Sequence, residues 1–244
     1  MTNFCSKIKI DTLEYKEPQN NRNGGKVVNV STVKGSNEWQ DRIKFQMSEN
    51  ESTNLQTAVW GLSIPLQGQD ATRRTLELTI ESSELETFLN NLDENNIMKA
   101  VENAPNWFKK SVDESSVRQM YVKMVKEPGK VGQNSTVRVK VNCGEYPTKI
   151  YVVTGEKDGN LIVENGCPDD LQRNVKCLVM VQTVGLWFMS RQFGMSLSAT
   201  EIMVWPNKRP TGIDAFTLSN SVKFQKSSES NKLDGHSEDA MDDI

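Results

Sequence analysis

Hydrophobic and polar positions alternate with period two along much of the chain, the pattern of half-buried β-strands. Arg42-Ile43-Lys44-Phe45-Gln46-Met47 shows it most clearly. Ile43, Phe45 and Met47 fall on one face, Arg42, Lys44 and Gln46 on the other. Residues 27–33, 55–64 and 75–80 predict further strands. Over 136–142, Val137, Val139 and Val141 point to a core, and Arg138, Lys140 and Asn142 away from it. Over 148–154, Ile150 and Val152 share one face, and Lys149, Tyr151 and Val153 the other. Residues 175–184 are almost continuously apolar, which predicts a strand covered on both faces. Gly185 interrupts the run before Leu186-Trp187-Phe188-Met189 and predicts a bulge or sharp bend. A last strand, 201–205, stops at Pro206.

Between these strands the period changes to that of a helix. Ser82 or Ser83 supplies an N-cap, with Glu84 and Glu86 in the first turn. Leu85, Phe88, Leu89 and Leu92 follow helical spacing. Ile97, Met98 and Val101 continue it in a second piece, after a break expected at Asn95-Asn96. Ala104-Pro105-Asn106 separates a short segment, Trp107 to Lys110, and 113–121 starts as a helix capped by Asp113 or Ser111. The whole stretch, about 82–121, predicts a helical insertion within a β domain spanning 1–224. From Gln225 the chain is polar and acidic, and it lacks the apolar surface needed to fold. Residues 225–244 are therefore expected to form a disordered acidic tail.

Charge sharpens this division. The 244 residues carry a formal net charge of −3. Residues 226–244 hold two lysines against six carboxylates, a balance of −4, and 81–102 hold one lysine against six acids, a balance of −5. The remaining β part is left at about +6, so the acidic average conceals a basic platform.

Several chemistries fall away. His236, the single histidine, lies in the tail. That excludes histidine-based acid/base catalysis, nucleophile triads and histidine-ligated metals from the body. No phosphate-binding glycine motif occurs, and no cofactor is expected. The four cysteines, Cys5, Cys143, Cys167 and Cys177, form no C-x-x-C pair. With no apolar leader at MTNFCSKIKI, they read as free thiols in an intracellular, reducing compartment. No run is long and apolar enough for a membrane helix. Carboxylate-metal chemistry stays open through Asp169-Asp170 and the Glu77/Glu81 region, although Asp169-Asp170 follow Cys167-Pro168 in an expected turn.

Non-specific binding of a nucleic acid strand needs cations along the phosphates and flat side chains for the bases. Candidates occur on outward faces: Arg42 and Lys44, Arg73 and Arg74, Lys109 and Lys110 after Trp107-Phe108, Arg138 and Lys140, and Lys149 with Tyr151. Arg191 follows Trp187-Phe188 and is a candidate for the groove edge. Trp187, Phe188 and Trp205 sit in apolar runs and are expected in the core, as is Phe45. Tyr151 is the aromatic expected to stack.

The run from Val175 through Gly185-Leu186-Trp187-Phe188 to Arg191-Gln192-Phe193-Gly194-Met195-Ser196-Leu197 resembles the single-stranded DNA-binding proteins of nucleocytoplasmic large DNA viruses. Those are similar to the replicative single-strand binding protein of short-tailed phages. Trp107-Phe108-Lys109-Lys110 through Ser115 and Val117 to Thr136–Val141 resembles the middle of the same family. The resemblance covers roughly 80–205. It implies an OB-fold-like barrel with insertions and a single-stranded DNA partner. It further implies a role in viral replication, recombination or repair, in the host cytoplasm or nucleus. Tethered to a basic body, the acidic tail is expected to compete with DNA for the groove; the resemblance implies that it contacts DNA polymerase or other replication proteins, with Glu238, Asp239, Asp242, Asp243 and Ile244 as the candidate docking residues. The phage-type tail ends in an aromatic residue, whereas this sequence ends in Ile244. A homodimer is left open. The alternative function is a non-catalytic protein-interaction or virion structural protein.

Overall fold

The computed structural model describes residues 4–20, 25–33, 41–49, 54–68 and 70–207. The acidic tail and the boundary at residue 224 lie outside the described residues. Short strands come first: β1 (Glu14–Tyr15), β2 (Gln19–Asn20), β3 (Lys26–Val28), β4 (Val30–Ser31) and β5 (Lys44–Gln46). Then follow β6 (Gln56–Leu62) and β7 (Arg73–Thr79), and the helices α1 (Ser83–Glu102), α2 (Ala104–Phe108) and α3 (Glu114–Met120). The remaining strands are β8 (Tyr121–Val122), β9 (Val125–Lys126), β10 (Thr136–Asn142), β11 (Lys149–Lys157), β12 (Asn160–Asn165), β13 (Lys176–Phe188) and β14 (Phe193–Trp205).

Five strands close on themselves. β6 pairs with β7, β7 with β10, β10 with β14, β14 with β13, and β13 returns to β6. Ranked along the chain, their order around the ring is 1-2-3-5-4-1. The third and fifth run parallel and the other four pairs antiparallel. That is the Greek-key connectivity of an OB-type barrel. The expected mainly β fold with a helical insertion is therefore present, with the helices inserted between the second and third barrel strands.

Closure depends on the hairpin of β13 and β14. Its register shifts between Met180 and Val181 and again between Thr183 and Gly185. Bulges bend a strand and increase its twist, so a long strand can wrap around a barrel. Along its other edge β13 meets β6 at Cys177, β5 at Val181 and β3 at Trp187. Gly185 is required at its bend. It has φ +105, and a Cβ there would stand 2.7 Å from the Val28 carbonyl oxygen.

The core follows the expected parity. Val137, Val139, Val141, Leu76, Leu78, Val179, Val181, Leu197, Ile202 and Phe45 are buried. In β13 the apolar run has an inner and an outer side: Cys177, Val179, Val181 and Thr183 are buried, whereas Leu178, Met180, Gln182 and Val184 are half-buried. The strand is thus not sealed on both faces, because its outer side lines a concave surface. β12 is largely exposed and has no core face, so no alternation announces it. Phe193–Thr200 also belongs to β14, which makes the last strand longer than the expected 201–205.

The insertion packs into the same core. Leu85, Leu89 and Leu92 are fully buried, and Phe88 meets Phe45 edge-on at 5.1 Å. Ser82 caps α1 by accepting from Leu85 N, and Asp113 caps α3 by accepting from Ser116 N. The break expected at Asn95-Asn96 does not occur; α1 runs through it. Both amides serve tertiary contacts instead. Tyr15 OH donates to Asn96 Oδ1 at 2.7 Å, Asn95 Nδ2 donates to Tyr15 OH at 2.9 Å, and Asn96 Nδ2 donates to Tyr121 OH at 2.9 Å. Tyr121 OH in turn donates to Asp93 Oδ1 at 2.6 Å, and Met124 N donates to Asp93 Oδ2 at 2.9 Å. Ala104-Pro105-Asn106 opens α2 rather than separating it, since proline's missing N–H costs nothing in a first turn.

Two outcomes are expected. Gly185→Ala lowers unfolding free energy by roughly 2 kcal/mol, because strain at a positive φ adds to a backbone clash. Gly155→Ala, whose Cβ meets only Ile162 Cδ1 at 3.8 Å, is the mild control in the same urea titration. The second outcome concerns Asp93. Burial pushes its carboxyl up to about 6, against the lowering effect of the hydrogen bonds from Tyr121 and Met124 N. A carboxyl with a raised folded-state pKa holds its proton more tightly when folded. Its contribution therefore falls as pH rises from about 4 through 6, by up to about 3 kcal/mol. Asp93→Asn removes this component. Wild-type stability should decline relative to the variant between pH 4 and 7 in parallel denaturation curves.

Candidate nucleic-acid interface

Strand register assembles a row of side chains across five strands. Lys140 stands opposite Thr75 on β7 and beside Ser198 on β14. Ser198 faces Gln182 on β13, and Gln182 faces Lys44 on β5. All five carry the outward parity. Arg138 lies two residues from Lys140 on the same face of β10, and Arg42 two residues from Lys44.

A groove follows this face. One part encloses about 700 Å³ and is lined by Arg42, Arg73, Arg74, Lys140, Gln182 and Ser198, with Asp70 and Glu145 as its acids. The other encloses about 470 Å³ and is lined by Lys123, Lys126, Arg138, Lys140 and Trp187, with no acidic side chain. Thr75 and Lys140 line both, so the two parts adjoin.

The cations here differ in how they are held. Arg74 Nε donates to Ser63 O at 2.6 Å and Nη2 to Leu62 O at 3.4 Å, which ties the start of the β6–β7 loop. Arg73 lies 3.9 Å from Asp70, and both are largely exposed. Arg138 and Lys126 flank Glu77 at 3.1 and 3.6 Å. Burial pushes the Glu77 carboxyl up, but hydrogen bonds from Arg138 and Thr136 and the nearby positive charges outweigh it and hold the group below its usual range. Lys140 is lowered, first by desolvation within the groove and then by Arg73, although its surface remains solvent-accessible. Burial likewise lowers Arg42, whose Nε is buried without a hydrogen-bond partner. Gln182 Oε1 is a second buried, unpartnered atom.

Trp187 belongs to this wall and not to the core. The Gly185 bulge inverts parity: odd positions 177 to 183 point inward, but beyond the bend Leu186 is buried and Trp187 turns out, half-buried. Gly194 faces it across the hairpin, and a Cβ there would stand 3.1 Å from indole Cζ2. Following parity through the bulge would have found this tryptophan. Tyr146, at the rim and 79% exposed, was not signalled by alternation because it sits in the β10–β11 loop.

Register thus brings Arg42, Arg73, Arg74, Arg138 and Lys140 to one groove, with Lys44 at the end of its row. Other candidates lie elsewhere. Lys149 and Tyr151 sit on β11, beside Glu201 and Met203 further along β14, and Lys149 Nζ is 3.3 Å from Glu201. Lys110 lines a separate concavity with Lys26, Trp107, Phe108 and Phe188. Lys109 ends α2 in a left-handed conformation, and Arg191 is exposed in the β13–β14 turn. Phe188 joins an aromatic cluster, stacked on Phe193 at 5.3 Å, and Trp205 is half-buried. Trp60 is exposed, with the Arg173 guanidinium 5.0 Å from its ring.

Of the carboxylates weighed as metal ligands, Glu77, Glu81 and Asp170 have structural partners. Glu81 accepts from Thr79 and Asn134, and Asp170 accepts from Cys167 N within a short 3₁₀ helix. Among the described residues no three side chains of His, Cys, Asp or Glu gather as a metal site. Among them, too, no helix is long and apolar enough to cross a membrane.

Residues 65–217 match a family of unknown function, DUF5871. The chain belongs to that family. No curated protein matches it in sequence. Among solved structures it is similar to gp2.5, a single-stranded DNA-binding protein encoded by bacteriophage T7, at 14% identity and a TM-score of 0.44, covering 75% of this chain and 98% of that one. It is also similar to a C-terminal truncation of the single-stranded DNA-binding protein from bacteriophage Enc34, at 9% identity and a TM-score of 0.41, covering 83% of this chain and 100% of that one. The same Enc34 protein in complex with single-stranded DNA aligns at 9% identity and a TM-score of 0.39, over 80% and 98% of the two chains.

Proposed function

We propose that this protein binds single-stranded DNA along the β7–β10 face of its barrel, without a strict sequence requirement and without catalysis. The adjoining basic concavities with Trp187 in one wall carry this reading. Lys140, Arg138 and Arg42 supply charge for the phosphates, and the indole supplies a surface on which a base stacks. In the OB architecture the corresponding strands and the loop between the first two form the oligonucleotide face. Lys109, Lys110, Lys149, Tyr151 and Arg191 would meet DNA only where the strand extends past the groove.

The setting that fits is replication, recombination or repair of a viral genome, in keeping with the sequence resemblance to single-stranded DNA-binding proteins of large DNA viruses. In this reading the acidic residues of 226–244 compete with DNA for the groove at high tethered concentration. Once displaced, Glu238, Asp239, Asp242, Asp243 and Ile244 engage a replication protein.

Fluorescence titration with oligo-dT at several salt concentrations tests the proposal. Affinity should fall steeply with salt, and Lys140→Gln and Arg138→Gln should each reduce the slope of log K against log salt by about 0.7. Trp187→Ala should weaken binding by about tenfold and remove part of the emission quench. Failure to bind, or salt-independent binding, would sink the proposal and favour a protein-interaction body. Deleting 226–244 should raise affinity, most at low salt; unchanged or lower affinity would refute the competition.

A further inference from the structure

A bulge turns Trp60 out of the barrel wall. Ala58 pairs with Leu78 and Leu62 with Leu76, so Val59, Trp60 and Gly61 on β6 together oppose one residue of β7, Glu77. Extra residues of this kind bend a strand and re-aim a side chain. Gly61 is required there. It has φ +76, and a Cβ would stand 2.9 Å from both the Arg173 amide nitrogen and the Leu171 carbonyl oxygen. The same close approach brings Arg173 to the indole, with its guanidinium 5.0 Å from the ring centroid. Trp60 is nevertheless 65% exposed, and among the described residues only Tyr146 is an aromatic ring left more open. An indole held on one face by a cation keeps its other face for a flat partner. Its surroundings indicate which partner. Glu77 faces the Trp60 bulge on one edge of β7 and Arg138 on the other. Arg138 and Trp187 line the same acid-free concavity. Arg138 and Lys126 both pair with Glu77, so its charge is compensated on the way from that concavity to Trp60.

We infer that Trp60 is a second base-stacking platform, one strand beyond the groove, and that Arg173 is the residue that positions it. The bound strand then crosses β10 and β7 between Trp187 and Trp60, with Arg138 and Lys126 beneath its phosphates. Both indoles turn outward next to a glycine of positive φ at a register shift, Gly185 for one and Gly61 for the other. Every base has a face to stack, so the second platform lengthens the binding site without adding a sequence preference. The inference rests on the proposed single-stranded DNA binding and gives that strand a path.

The test uses the full chain and oligo-dT of about 16 nucleotides, the upper end of the site sizes of single OB folds, at one salt concentration. Trp60→Ala should weaken binding by about tenfold, the loss of one stacked base. Trp60→Phe should retain most of the affinity, because a phenyl ring still stacks. The same oligonucleotide with 5-iodouracil in place of thymine, irradiated in complex with wild type, should cross-link to Trp60 as well as to Trp187, as located by mass spectrometry of the peptides. Unchanged affinity in Trp60→Ala, which would leave Trp60 as a side chain for docking a protein, overturns the inference. So does a Trp60→Phe protein as weak as Trp60→Ala, or a wild-type protein that cross-links at Trp187 and not at Trp60. Each of these leaves groove binding intact. Failure of wild type to bind the oligonucleotide refutes the single-strand reading itself.

Discussion

Everything on the groove face depends on one geometric constraint: a single hairpin must close the barrel. β13 and β14 pair with each other, and each also pairs with another ring strand, so the sheet returns to its start. Thirteen-residue strands cannot do this flat. Two register shifts bend β13, and the second is possible because Gly185 lets the backbone pass against the Val28 carbonyl. The bend also reverses which side chains face outward. Closure and the exposure of Trp187 are two results of one bulge.

The electrostatics follow from that closure. β10 meets β7 on one edge and β14 on the other, which sets Lys140 within a concave surface instead of on an open strand. Partial desolvation lowers its pKa, and the neighbouring Arg73 adds repulsion. Arg42 is lowered by the same desolvation. Cations gathered in a groove raise the local concentration of an anionic strand more than cations scattered over a surface. Glu77 moderates this by pairing with Arg138 and Lys126, leaving Lys140 and Arg42 as the more weakly compensated charges.

The helical insertion is joined to the barrel by polar contacts as well as packing. Asp93, Asn95 and Asn96 on α1 reach Tyr15, Tyr121 and the backbone of Met124. Val122, Lys123 and Met124 are also groove-lining residues. The network thus supports one edge of the groove from behind. Buried polar networks of this kind are specific because each lost partner leaves an unmet group.

Much of the fold was legible in the sequence because burial on one face imposes period two on a strand and a 3.6-residue period on a helix. Val137-Val139-Val141, Ile43-Phe45-Met47 and Leu85-Phe88-Leu89-Leu92 all fall where those periods place them. The outward parity of Arg42, Lys44, Arg138 and Lys140 was legible for the same reason. β12 was not, since an exposed strand carries no core face, and Asn95-Asn96 misled because their partners are distant in the chain. Trp187 was placed on the wrong side because a bulge inverts parity without changing composition. The sequence by itself determined which residues share a face, since that is a local property of backbone geometry. Which faces adjoin, and so which cations and which tryptophan share a groove, was decided only by barrel closure and strand register, which depend on hydrogen bonds between residues far apart in the chain.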